Sequence, residues 1–368
     1  MATLIKVKGS GQGGYEFPNG MKWEQSNINS GEFSCVYYAN DLWMAGSHSN
    51  GGAYYSIDGK NWTQSNITSG NFYTFYNANG LWVAGSGAGV YYSIDGKTWA
   101  QSSLTSDAFY SVHNANGIWV AASYSNGLYY STSGKTWTQS NLSSGDRHPA
   151  YYADGSWVCG GEDGLYYSTD GKTWTKYKSG AFYTLYNANG IWVAGDIIYG
   201  LYYSTDGKTW TRSNITRGNF LSIYNANGLW VAGGRDGAVY YSTDGKNWTR
   251  CNIATAMPYS VYGANGMWVA GCSDGAYYST DGKNWTRCNT GYRDFYSPYN
   301  ANGLWVAGSN SGLYYSPTWE PTIPAGEYMF QEAPDMPIYS GDIAENIPFT
   351  SNNVSYQKMT LQYQSSRR

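Results

Sequence analysis

Charge, cysteine and long apolar runs are all scarce in this chain, and each scarcity excludes something. Only 13% of the 368 residues are charged, and the net charge is −3. That is no electrostatic footprint for nucleic acid or an anionic membrane surface. No apolar run reaches the ~18 residues that cross a bilayer, so membrane insertion is not expected. The start, Met1-Ala2-Thr3-Leu4-Ile5-Lys6-Val7-Lys8, lacks the long apolar core of a signal peptide. Export is then expected to need cell lysis or a dedicated secretion machine. The cysteines, Cys35, Cys159, Cys251, Cys272 and Cys288, are odd in number and contain no C-x-x-C pair. They read as free, mostly buried thiols. His48, His113 and His148 share no ligand spacing, so neither a metal nor a cofactor is expected. No phosphate-binding glycine loop and no G-x-S-x-G elbow occurs. No stretch carries a convincing amphipathic helical pattern.

What the chain has instead is glycine (47), tyrosine (39) and tryptophan (17). Low charge with many aromatics is unlike disorder and fits sheets joined by tight turns. The composition is organised by one unit, Tyr202-Tyr203-Ser204-Thr205-Asp206-Gly207-Lys208-Thr209-Trp210. It returns as Tyr54–Trp62, Tyr91–Trp99, Tyr129–Trp137, Tyr166–Trp174, Tyr240–Trp248 and Tyr277–Trp285, with Ser133 alone replacing the Asp. Asp-Gly between aromatic runs is a strong hairpin signal, because Gly accepts positive φ and the carboxylate accepts turn amides. Tyr15–Trp23 is a degenerate copy with Asn-Gly at its turn. A second Trp, in Leu42-Trp43-Met44-Ala45-Gly46, returns at 82, 119, 157, 192, 230, 268 and 305.

One period of about 37 residues thus holds four short strands. In the copy around Trp192 they are Phe182–Asn187, Ile191–Gly195, Leu201–Ser204 and a strand beginning at Thr209-Trp210. Four antiparallel strands repeated eight times predict an all-β chain, an eight-bladed β-propeller, with seven blades as the alternative. The last blade ends in Tyr314-Tyr315-Ser316-Pro317-Thr318-Trp319, a hairpin without its Asp-Gly-Lys. The surplus first hairpin, Tyr15–Trp23, is expected to pair with it and close the ring, which removes two open edges. Residues 1–14 read as an N-terminal arm and 15–319 as the propeller. Residues 320–368 read as a Pro-rich linker, Glu320-Pro321-Thr322-Ile323-Pro324, followed by a small β-rich attachment module. Its strands are expected at Tyr328-Met329-Phe330, within 347–353 and within 354–361. About 45 residues is too few for a robust core of its own.

The Ser-x-Asp-Gly-Lys-x-Trp hairpin resembles the Asp-box (BNR) repeat of sialidase-like propellers over about residues 15–319. It lacks one residue between Asp and Gly compared with the usual form. The resemblance implies that Asp58, Asp95, Asp170, Asp206, Asp244 and Asp281 are structural turn residues and not catalytic ones. The tyrosine-rich repeats, with the segment Ala325-Gly326-Glu327-Tyr328 and Ile347-Pro348-Phe349-Thr350-Ser351-Asn352, are also similar to pieces of bacteriophage tail and virion proteins. That likeness implies a virion location and association with other tail proteins.

A sialidase needs an arginine triad, and here no arginine precedes Arg147. The family's N-terminal Arg-Ile-Pro type motif is missing too, so no enzyme activity is expected. A glycosidase needs two carboxylates facing across the scissile bond. The acids outside the hairpins are few, and Asp163, Asp236 and Asp274 each precede Gly in one recurring turn. Turn chemistry explains them; contacts to sugar or a cation are the alternative. Asn-x-Ser/Thr triplets such as Asn66-Ile67-Thr68 fall out of the repeat and require no glycan.

Comparing repeats separates two rims. The Asn-Ala-Asn-Gly and Asp-Gly-Lys turns share one rim and barely change between copies. The opposite rim carries the turns between second and third strands and the links between blades, and these differ. Tyr124, Arg147, His148, Ile198, Tyr199, Arg217, Arg235, Tyr292 and Arg293 fall there. Exposed Tyr and Arg suit sugar or protein surfaces; simple loop drift is the alternative. The reading is a non-enzymatic virion structural or receptor-binding propeller, part of a larger assembly or a homo-oligomer, that meets a partner or a host surface glycan or protein. A lectin-like propeller is the second reading and a glycoside hydrolase the third.

Overall fold

The computed structural model of the chain describes residues 21–49, 51–253, 256–316, 349–351 and 354–356, all in strands, turns and irregular segments. The chain divides into two units, one of Tyr15–Trp319 and one of Met1–Gly14 with Glu320–Arg368. In the second unit the described part is a hairpin that pairs Phe349–Ser351 with Val354–Tyr356. The expected arm over 1–14, hairpin residues Tyr15–Gly20, the ending Pro317–Trp319, the linker and the strand at Tyr328–Phe330 lie outside the described residues.

The larger unit is a ring of eight four-stranded antiparallel sheets. The expected eight blades are present, and the seven-blade alternative falls. In the blade around Trp192 the strands are Phe182–Ala188, Ile191–Asp196, Gly200–Ser204 and Thr211–Arg212. The fourth begins later than Thr209-Trp210, because Trp210 still belongs to the turn. Its Nε1 donates to Gly207 O at 3.0 Å.

Second strands are buried along nearly their whole length. Blades cover them on both faces, which is why they read as Leu-Trp-Val-Ala-Gly and not as an apolar–polar alternation. Packing between blades is tight enough to dictate glycine. A Cβ on Gly308 would lie 2.0 Å from Phe33 O of the next blade. A Cβ on Gly59, in the first Asp-Gly turn, would lie 2.5 Å from Leu304 of the preceding blade, and its φ is +70°. The fourth positions after five repeat Trp residues add a polar clamp. Asn66 Oδ1 accepts Trp99 N at 2.7 Å, and its Nδ2 donates to Trp99 O at 2.9 Å. Asn27, Asn141, Asn214 and Asn252 grip Trp62, Trp174, Trp248 and Trp285 in the same way. The amide of the Asn66-Ile67-Thr68 triplet is therefore already occupied in joining two blades.

Ring closure uses both ends of the propeller. Glu24–Gln25 is the fourth strand of the last blade, with Glu24 opposite Tyr315 and Gln25 opposite Tyr314. Ser26 N donates to Leu313 O at 2.9 Å. The five cysteines are free, with Cys159, Cys251, Cys272 and Cys288 buried. Burial pushes the thiols of Cys35, Cys159, Cys251 and Cys288 up to about 12, so they act as packing groups.

The Asp-Gly-Lys turns are carboxylate-centred. Asp206 Oδ1 accepts the amides of Lys208 and Thr209 at 2.8 and 2.7 Å and the Ser204 hydroxyl at 2.8 Å. Asp58, Asp95, Asp170, Asp244 and Asp281 do the same. Partial burial works against ionisation, but these hydrogen bonds outweigh it and hold Asp58 and Asp206 down at about 2. Asp95, Asp170, Asp244 and Asp281 are lowered too. A folded pKa below the unfolded value of ~3.9 contributes stability above pH ~4 that is lost as pH falls through ~2. Ser133 has only a hydroxyl for the same amides, 3.2 Å from Lys135 N and Thr136 N. Ser133→Asp is expected to stabilise the fold by about 1 kcal/mol at pH 7, a small figure because the site is exposed. The gain should vanish near pH 2, which thermal unfolding at the two pH values would check. An equal gain at both would show that the charge is irrelevant.

Candidate functional site

The strand order places all 1–2 turns and Asp-Gly-Lys turns on one rim, and all 2–3 turns and links on the other. On the variable rim the first strand of a blade opens with a β-bulge. Register slips between Phe33 and Cys35, Phe72 and Thr74, Phe109 and Ser111, Phe182 and Thr184, Phe220 and Ser222, and Pro258 and Ser260. In the fourth blade it slips between Arg147 and Ala150. A bulged residue leaves the ladder and its side chain is re-aimed. The residues set free are Ser34, Tyr73, Tyr110, His148, Tyr183, Leu221 and Tyr259, and Tyr296 holds the same place in the last blade.

These side chains meet across blades as a broken aromatic collar around the axial mouth. His48 lies 5.5 Å from Tyr73, Tyr73 4.8 Å from Tyr110, and Tyr110 6.5 Å from His148 between ring centroids. His148 packs on Tyr183 at 3.7 Å, and Tyr124 sets its edge against Tyr110 at 5.8 Å. Leu221 and Ser34 interrupt the collar, and Tyr259–Tyr296 at 5.2 Å form a second arc. Acids stand beside both arcs. Burial, then Glu162 and Asp146, push the Tyr183 hydroxyl up. Burial, then Glu32 and Asp294, do the same to Tyr296.

Nearer the constant rim, one residue from each first strand joins a second and complete ring. Tyr37, Tyr76, His113, Tyr151, Tyr186, Tyr224, Tyr262 and Tyr299 follow one another with centroids 4.5 to 5.9 Å apart, and Tyr299 returns to Tyr37 at 5.7 Å. Each stands nearly perpendicular to a second-strand Trp, as Tyr151 does to Trp192 at 6.2 Å. Burial lowers His113 to about 4, so it sits among the tyrosines as a neutral ring at pH 7. This inner ring floors the collar.

The other expected rim residues scatter. Tyr199 and Arg217, with Ile198, Arg212 and Thr216, line an outer cleft of about 520 Å³. Tyr199 is half exposed there, and Arg212 holds the cleft by donating to Tyr199 O at 2.9 Å and to Thr216 O. Tyr292 is 88% exposed and lies under the Arg287 guanidinium. Arg293 covers the Tyr314 ring and bonds its hydroxyl. Arg235 touches the collar only electrostatically, at Tyr259.

Arg147 requires a correction. It is 4% exposed and occupies the place that Phe33, Phe72 and Phe109 hold in other blades. Those phenylalanines pack against a third-strand tyrosine; Arg147 instead lays its guanidinium 4.6 Å from the Tyr166 centroid and pairs with Asp163 at 2.5 Å. It is a core group and offers nothing to an external ligand. Its partner answers the question of the recurring turn acids. Asp163 also accepts Tyr166 at 2.5 Å and Lys176 at 3.2 Å, and these hydrogen bonds overcome burial and hold it at about 2. Asp274 accepts Tyr277 at 2.9 Å, and Asp236 accepts Ala238 N at 3.3 Å. All three serve their own blades. Among the described residues no group of His, Cys, Asp and Glu gathers in a way that could hold a metal ion.

Of the collar residues the sequence flags Tyr124 and His148; Tyr73, Tyr110, Tyr183, Tyr259 and Tyr296 escape it because a period-2 reading assigns them to a strand face. The available signal was variation at the second position of the first strand, where Ser34, His148 and Leu221 alternate with Tyr.

No family model matches the sequence, and no curated protein matches it. Solved structures do. The computationally designed Ika8 protein superposes with a TM-score of 0.67 at 11% identity, over 81% of this chain and 99% of that one. YCF48 bound to D1 peptide gives 0.54 at 12%, over 82% and 96%. The GH74 xyloglucanase of Xanthomonas campestris gives 0.54 at 13%, over 80% and 60%. Likeness at this identity establishes a β-propeller. A peptide-bound protein and a glycoside hydrolase score alike, so the fold does not choose between binding and catalysis.

Proposed function

We propose that this chain is a non-enzymatic recognition propeller, carried on a virion in or near the tail, that meets its target with the variable rim. One observation carries the reading: a single rim combines non-repeating loops with bulge-freed aromatic side chains gathered at the axis. The constant rim, by contrast, uses its carboxylates to hold its own turns. The tail association rests on the likeness of the repeats and the C-terminal segment to virion proteins. Fractionation of the native source on a density gradient tests it. Co-migration with particles is the expected result, and a free species of the chain's own 40.6 kDa would overturn the virion assignment.

A second reading, glycan binding, is favoured by the outer cleft, which the exposed Tyr199 ring and Arg217 both line. On a glycan array it predicts saturable binding that Tyr199→Ala with Arg217→Ala abolishes. Binding that survives both changes would remove the cleft from consideration.

A further inference from the structure

The longer arc of the collar has the composition of a cation cage, and this deepens the reading of the variable rim as the recognition face. Four rings follow one another there: Tyr124 against Tyr110, Tyr110 beside His148 and His148 against Tyr183. The faces of aromatic rings are negative and attract cations, and several rings around one site suit an alkylated ammonium group better than a bare metal ion. Carboxylates reinforce that sign. Asp107 is fixed beside the arc by Ser123, by Ser125 at 3.0 Å and by Asn126 at 2.8 Å. Glu162 and Asp146 both act on the Tyr183 hydroxyl, and Asp146 and Asp107 on that of Tyr110.

Asp146 is the informative residue. It is 7% exposed, its Oδ1 has no hydrogen-bond partner, and its Oδ2 lies 3.4 Å from His148 Nε2. A buried carboxylate with one free oxygen is costly unless a positive charge lies near. The obvious candidate, Arg147, is turned the other way onto Asp163 and Tyr166, and Lys176 is paired with Asp163 as well. Even with His148 protonated, Asp107, Asp146 and Glu162 outnumber it. The arc therefore sets its rings beside an excess of carboxylates.

We propose that the axial mouth at Tyr110, Tyr124, His148 and Tyr183 binds an organic ammonium group, of the kind carried by a choline head group or by a lysine side chain. The rings supply the contact faces, the carboxylates set the sign of the ligand, and the inner ring at Tyr76, His113 and Tyr151 limits how deep it enters. The opposite arc, with Leu221 and Ser34 in place of rings and Arg235 near Tyr259, is the poorer half of the mouth.

The test is calorimetric titration of the full chain with three probes: choline, Nα-acetyl-lysine amide, and 3,3-dimethylbutan-1-ol as the uncharged isostere of choline. Saturable binding of choline or of the lysine derivative is expected, at least about tenfold tighter than the alcohol. The better of the two cations identifies the source of the group. Tyr183→Ala should cost about tenfold in affinity, whereas Tyr183→Phe keeps the ring face and should cost little. Asp146→Asn should narrow the gap between choline and the alcohol. Thermal unfolding of each variant separates loss of the cage from loss of fold. Equal binding of choline and its isostere, or no saturation by either cation, would overturn the cage. That failure is distinguishable from failure of the functional reading, because association with particles is measured independently.

Discussion

Replacing Trp192 by alanine is expected to lower the stability of the propeller by about 3–5 kcal/mol, the range for truncating a fully buried large aromatic. Trp192 is 2% exposed and packs with Val158 of the preceding blade and with Phe182, Leu185 and Ala194 of its own. It also packs nearly perpendicular to the Tyr151 ring. One substitution therefore empties space between two blades and removes the backing of the inner ring. Urea unfolding would show a lower midpoint with an unchanged slope, since the surface exposed on unfolding stays the same. Trp210→Ala provides the contrast. Trp210 is only half-buried, and the position that clamps other repeat Trp residues is Lys178, so a clearly smaller loss is expected. Similar losses at both positions would mean that burial between blades is not what makes the second-strand Trp matter.

Removing residues 1–25 is expected to do more damage than any point substitution. The truncation deletes Glu24–Gln25, the strand that covers Gly312–Ser316, and exposes that edge to pairing with another chain. It also deletes Met21, 3% exposed, and Trp23, which pack with Cys288, Phe295, Trp305 and Tyr314. A propeller is a closed array whose blades stabilise each other, so an open last blade weakens its neighbours as well. The expected outcome is a lower thermal midpoint together with self-association, seen as a concentration-dependent mass by light scattering. A monomer with an unchanged midpoint would show that closure contributes nothing and that the last blade is complete without its fourth strand.

Much of this architecture was written locally. The Asp206-Gly207-Lys208 turn, the Ile191–Asp196 strand and the eight-fold count of Trp192-like residues depend on contacts within one period, so each copy restates them. Closure was legible because it follows from counting: nine hairpins for eight blades leave Tyr15–Trp23 over, and the strand that completes the ring begins at the next residue, Glu24. The constant and variable rims were legible for the same reason.

Three features were not, and each is settled by contacts that the order of residues does not show. The sequence puts the start of the fourth strand at Thr209-Trp210, directly after Asp-Gly-Lys; the Trp210 Nε1 bond to Gly207 O keeps that Trp in the turn. The sequence puts Arg147 on the variable rim because it falls in the link between two blades. Only the packed structure supplies the Asp163 carboxylate and the Tyr166 face that let a guanidinium stand in a phenylalanine's place. The collar was hidden because a bulge is a mismatch between two strands, and neither strand shows it alone. Phe72-Tyr73-Thr74 reads as ordinary alternation until Phe72 is found opposite Ser86 and Thr74 opposite Gly85. The sequence by itself thus determined the blade, the number of blades and how the ring closes, because those rest on short-range repeated chemistry. The tertiary structure alone decided which aromatic side chains leave the ladder and meet at the axis, because that is settled by register between strands and by distances between blades.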